Sequence, residues 1–209
     1  MKTRFKILAA VLPALVLMGC SKGDPEGEFR VKNGDNSNRQ ASTFVYSEAK
    51  VSLSDIDIDF EPESGQDQEM EFEGNYTFDL LSSDGTNEVE LAAGTYTELE
   101  FDMSANLNGG SSMIVRGTAE SNGNSYDFEF ATSMEGEFEI ESEDGETAEE
   151  GSNVDFILLM DLDGMFAGVD FANAVIDSDN VIRINENSNE AIRALIEANI
   201  ASNMSFDSE

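Results

Sequence analysis

Histidine and tryptophan are absent from this 209-residue chain, cysteine occurs once, and lysine plus arginine number 11 against 44 aspartate plus glutamate. Without histidine there is no Ser-His-Asp or Cys-His nucleophile and no imidazole site for zinc or copper. One cysteine makes neither a thiolate cluster nor an intramolecular disulfide. The chain must therefore hold itself together through its core, and about 165 folded residues are enough for one. The formal charge of −33 excludes nucleic acid as a partner, because phosphate binding needs Lys and Arg to displace counterions. It also disfavours anionic lipid headgroups, which are attracted by basic patches.

What is present begins at the N-terminus. Lys2, Arg4 and Lys6 precede an apolar run from Ile7 to Met18 that stops at Gly19-Cys20. The run is too short for the roughly 20 residues that span a bilayer, and Pro13 interrupts it, so it reads as a secretion signal and not as a membrane span. Leu17, Met18 and Gly19 before Cys20 resemble the bacterial lipoprotein pattern, in which the cysteine becomes diacylated and then the mature N-terminus. The resemblance implies lipidation of Cys20, palmitate included, after removal of residues 1–19. Ser21 in place of Asp resembles the sorting of outer-membrane lipoproteins. Cleavage removes three basic residues and no acid, leaving eight Lys plus Arg and a formal charge of −36.

Two readings account for the acid excess. Acidic, lysine-poor surfaces stay hydrated in high salt, where screening removes their self-repulsion. Carboxylates are also the natural ligands of Ca²⁺. The acids are spread along the whole chain, which favours salt adaptation.

Residues 20–42 are polar and charged, with Phe29 and Val31 their only large apolar side chains, and read as a flexible tether. The remainder alternates with period two, as half-buried strands do. Val51 and Leu53 share one parity and Ile56, Ile58 and Phe60 the other, which demands a bulge near Ser54-Asp55. Met70 to Leu80 forms the next set, closed by a turn at Ser83-Asp84-Gly85, and Leu99 to Leu107 the one after. Asn122-Gly123 predicts a tight hairpin between Met113-Val115 and Tyr126-Phe130. Residues 141–153 read as an acidic loop, and Val154 to Met160 as a central strand covered on both faces. Asn187 as N-cap, with Glu190 three residues later and apolar Ile192, Leu195, Ile196 and Ile200, predicts an amphipathic helix. The fold class is mainly β: an antiparallel β-sandwich of immunoglobulin or transthyretin type with a C-terminal helix. One domain over residues 43–202 is expected, with a frayed tail at 203–209.

Asp79-Leu80-Leu81 and the run Leu91-Ala92-Ala93-Gly94-Thr95-Tyr96-Thr97-Glu98-Leu99 resemble a family of bacterial envelope lipoproteins catalogued as a domain of unknown function. The segment Phe166-Ala167-Gly168-Val169-Asp170-Phe171, the later Asn189 and the amphipathic helix are similar to it too. The resemblance implies an exported β-sandwich with a Gly-Thr-Tyr turn and carries over no catalytic residue. A more distant likeness, to copper-associated periplasmic proteins, brings no activity, since histidine and tryptophan are lacking.

Candidate metal ligands are few. Asp161-Leu162-Asp163-Gly164 has the start of a calcium loop, with Asp170 following, but its twelfth position is Ala172 where a bidentate Glu belongs; the alternative is a solvated turn. Asp55, Asp57 and Asp59 place three carboxylates on one strand face about 6–7 Å apart, either to share a divalent ion or to keep an outer face soluble. The seven methionines after Cys20 read as core and not as Cu(I) ligands.

The sequence thus predicts a non-enzymatic, lipid-anchored module of the cell envelope, adapted to a saline environment and directed to the outer membrane. Its expected partners are the membrane, through Cys20, and an envelope protein or glycan. No cofactor is expected in this reading. The alternatives are a Ca²⁺-binding envelope domain and a carboxylate-based hydrolase, which requires two acids facing each other across a cleft.

Overall fold

The structure is a computed structural model that describes residues 26–34, 43–62, 68–82, 88–90, 93–149 and 155–208. The signal sequence, Cys20 and the turn at Ser83-Asp84-Gly85 lie outside the described residues. In chain order the strands are β1 (Glu26–Asn33), β2 (Phe44–Pro62), β3 (Gln68–Asp79), β4 (Glu88–Glu90), β5 (Gly94–Met103), β6 (Met113–Ser121), β7 (Asn124–Thr132), β8 (Gly136–Ala148), β9 (Phe156–Met160), β10 (Val181–Ile184) and β11 (Met204–Ser208). Helix α1 (Leu162–Met165) follows β9, and α2 (Glu190–Ile200) precedes β11. No described helix is long and apolar enough to cross a membrane.

Two sheets pack into a β-sandwich. The smaller has the order β11-β9-β1-β4; the larger runs β10-β7-β6-β2-β5-β8, with β3 on the other side of β2. The 19-residue β2 organises the larger sheet: β6 lies beside its first half and β5 beside its second. Ser52 marks the handover, its N–H donating to Ser112 and its carbonyl accepting from Ser104. The register shift expected near Ser54-Asp55 is there, with Asp55 at φ 47°, Val51 and Leu53 buried before it and Ile56, Ile58 and Phe60 buried after it. Asn122 and Gly123, at φ 52° and 77°, make the tight turn between β6 and β7.

The Gly-Thr-Tyr run has a packing reason. Gly94 opens β5 so close to β2 that a Cβ there would stand 2.6 Å from the Glu61 carbonyl oxygen. Tyr96, fully buried, lies between Phe60 (ring centroids 5.1 Å apart) and Phe156 (4.4 Å), joining the two sheets.

Several expectations are corrected. The stretch read as tether contains β1, the strand between β9 and β4, and Phe29 and Val31 are only 4% and 1% exposed. Two apolar side chains suffice there because neighbours on both sides satisfy the backbone. The tail read as frayed contains β11, antiparallel to β9, with Phe206 buried. The stretch from residue 141 read as an acidic loop is strand as far as Ala148, which is buried opposite Gly94 after the register skips from Glu141 to Glu146, and residues 150–153 lie outside the described residues. The sheets are mainly antiparallel, but β1 runs parallel to β9 and β10 parallel to β7.

At α2 the N-cap is Asn189, not Asn187. It sits in the left-handed region, and its side chain caps nothing in the helix. It instead accepts from the Val175 N–H (2.8 Å) and donates to the Arg183 carbonyl (2.7 Å). Other asparagines stitch the far end of β1: Asn33 accepts from the Leu162 N–H, Asn199 donates to the Met165 and Ala167 carbonyls, and Asn203 donates to the Asn199 carbonyl.

Candidate functional site

The outer face of the larger sheet divides at the Asp55 bulge. Beside the first half of β2 the charges alternate in sign. Arg116 pairs with Glu48 and with Glu129 (2.6 Å), and Lys50 with Glu48 (3.0 Å). Beside the second half every charge among the described residues is an acid.

Register makes this so. Asp59 stands opposite Glu69 of β3 and Glu98 of β5, and Glu98 opposite Glu141 of β8. Two residues along, Asp57 stands opposite Glu71 and Glu100, and Glu100 opposite Glu139; Asp102 then faces Glu137. Between the two acidic rows the same register aligns Met70, Ile58, Leu99 and Ile140, which point to the core. A strand side chain alternates faces, so acid-apolar alternation in four neighbouring strands yields an apolar row inside and a carboxylate ladder outside.

The ladder perturbs its own members. Glu98 is pushed up to about 7, first by lost contact with water, then by the charge of Glu139, by the hydrogen bond shared with Glu100, and by the charges of Glu100 and Asp59. Asp57 is raised by partial burial and by Glu71, Glu100, Asp55 and Asp59. Glu69 shifts the same way, through desolvation and then Asp57, Asp59, Glu71 and Glu100. One carboxylate oxygen from each of Glu98, Glu100 and Glu139 lies within 4.8 Å of the other two. Two chemistries fit such a face: proton sharing, and neutralisation by cations.

Of the residues singled out in the sequence, Asp57 and Asp59 stand in the ladder. Asp55 is the bulge residue, opposite no partner in either flanking strand, although its charge still acts on Asp57. Asp161 and Asp163 lie elsewhere and are engaged within the fold. Asp161 Oδ1 accepts from the Gly164 N–H (3.1 Å) as N-cap of α1, and Asp163 Oδ1 accepts from the Tyr46 hydroxyl (2.8 Å). Burial and these two carboxylates hold the Tyr46 phenol well above its ordinary value. All seven methionines after Cys20 lie in the core or pack against it.

Sequence reasoning missed Glu69, Glu71, Glu98, Glu100, Glu139 and Glu141. Their signal was available, since 69–72, 98–101 and 137–140 alternate acid and apolar residues as 55–58 do. What was lacking was which strands are neighbours.

Comparisons of the chain with protein-family models, with curated proteins and with solved structures each find no match.

Proposed function

We propose that this protein is a non-enzymatic, lipid-anchored module of the bacterial cell envelope, adapted to a saline medium, and that it belongs with the Gly-Thr-Tyr envelope lipoproteins it resembles. Anchoring through Cys20 rests on the basic, apolar and Leu-Met-Gly-Cys succession of residues 2–20, and the outer-membrane address on Ser21 in place of Asp. The observation that carries the saline reading is the carboxylate ladder: like charges directly opposite one another on adjacent strands destabilise a sheet, and concentrated salt screens them over about 3 Å. The module engages an envelope protein or glycan outside the inner membrane.

A second reading is favoured by the Glu98, Glu100 and Glu139 oxygens, whose spacing suits a divalent cation. In that reading Ca²⁺ is the natural neutraliser of the ladder. Thermal unfolding of the chain from residue 20, with Cys20→Ser, separates the two in NaCl and KCl series with and without millimolar CaCl₂ at matched ionic strength. Full recovery of stability in monovalent salt alone supports salt adaptation. A rise in midpoint at low calcium that monovalent salt does not reproduce, and that Glu100→Gln abolishes, establishes the calcium reading in its place.

A further inference from the structure

We infer that the sandwich is held end-on against the lipid surface, with the start of β1, Pro62 and Gly94 toward the bilayer and the β6–β7 turn away from it. This rests on the lipid attachment at Cys20 proposed above. Only five residues separate Cys20 from Glu26, where β1 begins. Six extended steps reach at most about 20 Å, against several times that for a 22-residue tether.

The leash cannot lengthen by release of β1. That strand is hydrogen-bonded to β4 on one side and β9 on the other, and it buries Phe29 and Val31. Phe29 also packs edge-on against Phe78 of the facing sheet, with centroids 5.8 Å apart.

Connectivity sets which end is near. Glu26 stands opposite Glu90, four residues before Gly94, and Gly94 stands opposite Pro62 at the end of β2. The other end of β1 reaches the first third of β2, since the Asn33 N–H donates to the Leu80 carbonyl and the Leu80 N–H to that of Ala49. Beyond that point β2 runs back to Phe44, opposite Ala119, and the turn at Asn122-Gly123 follows. At about 3.3 Å per residue β2 separates its two ends by up to about 60 Å. The near end also holds the Asp57 and Asp59 rows of the ladder, so it is the short leash, against repulsion from anionic headgroups, that keeps this end at the bilayer.

The test uses the full lipoprotein in vesicles of phosphatidylethanolamine and phosphatidylglycerol that carry a headgroup acceptor dye. Cys20 is the chain's one cysteine and its sulfur is consumed by the lipid, so Glu61→Cys and Ser125→Cys, both at exposed positions, each supply a single free thiol for a donor dye. Energy transfer from position 61 is expected to exceed that from position 125 by about fivefold. A Gly/Ser insert of 20 residues after Ser21, adding about 25 Å of root-mean-square reach, is expected to cut the transfer from position 61 at least about twofold. Equal transfer from the two positions, or an insert without effect, overturns the orientation alone when mass spectrometry shows diacylglycerol on Cys20. A mass without lipid overturns the anchor, and the orientation with it.

Discussion

Replacing Glu98 by Gln should stabilise the protein, and only under conditions where the ladder is charged and unscreened. At 4.8 Å, the limit on the separation of the Glu98, Glu100 and Glu139 oxygens, two unit charges in water repel by about 0.9 kcal/mol. Glu98 meets two such charges and is only half-buried, so after allowance for solvent screening its removal at pH 8 and low ionic strength is worth about 1–2 kcal/mol. For a chain of this size that raises Tm by about 2–8 °C. In 1 M NaCl the Debye length falls to about 3 Å, below the spacing of the charges, and the gain should shrink below about 0.5 kcal/mol. The pH dependence has a definite sign. Glu98 titrates near 7 in the fold against an ordinary 4.5, so between those values the folded state holds a proton that the unfolded chain has lost. This contribution to stability is complete below about 4.5 and is lost as pH rises through about 7. At pH 4 the side chain is neutral in the folded state and mostly so in the unfolded chain, and Gln should gain almost nothing. Calorimetry on both proteins at pH 4 and 8, each in 10 mM and 1 M NaCl, provides the four comparisons. A gain that persists at pH 4 or in 1 M salt, or a loss at pH 8 in dilute buffer, refutes the reasoning.

Three further predictions concern the parts that hold this face in place. Phe29→Ala should cost about 3–5 kcal/mol in urea unfolding, as a core deletion does, whereas a change in a solvated tether would cost nothing measurable. Gly164→Ala should destabilise by about 1–3 kcal/mol, because its Cβ would overlap the Asn203 side chain and crowd Asp161; a neutral result in thermal unfolding would remove Gly164 from the α1 junction. Asp163→Asn weakens the bond from the Tyr46 hydroxyl and should lower stability by about 1 kcal/mol while leaving any calcium-dependent rise in Tm unchanged. Loss of that rise would move the cation site from the ladder to the loop after β9.

The inner face was legible because it obeys one rule. Alternation places Ile56, Ile58, Phe60, Leu99, Phe101 and Met103 in the core, and the change of parity near Asp55 marks the bulge that the structure has there. The rule failed where pairing partners did the work. Ala105 and Leu107 keep the alternation of β5, yet they lie in the connection that leaves the sheet at Ser104 and returns at Ser112. Phe29-Arg30-Val31 and Met204-Ser205-Phe206 are too short to signal strands by themselves, and they become strands because β9 offers its two edges to them. Asn189 shows another limit: a capping-box spacing starting at Asn187 satisfies local helix chemistry, but the bonds that Asn189 makes to Val175 and Arg183 set where α2 begins. The ladder was hidden for the same reason. Asp57 and Asp59 were visible as a row, while their opposition to Glu71, Glu100, Glu69 and Glu98 depends on strand order, which no local pattern encodes.

Repulsion in the ladder cannot be relieved by sliding one strand past another. A slip of one residue would turn Ile58, Leu99 and Ile140 outward and the acids inward, at a cost far above that of like charges facing water. The buried row therefore locks the exposed rows in register, and the strain must be met by protons or by ions from solution. The same arrangement guards the sheet against its own kind. The strands flanking the ladder, β3 and β8, carry Glu69, Glu71, Glu137, Glu139 and Glu141, so pairing β3 or β8 edge to edge with a second copy would extend the ladder and add to the repulsion. Salt that relaxes the fold weakens this guard as well. Stability and self-association should then rise together along a salt titration, and Glu98→Gln, which lies inside the ladder, should raise stability in dilute buffer without promoting association, whereas Glu139→Gln on β8 should promote both.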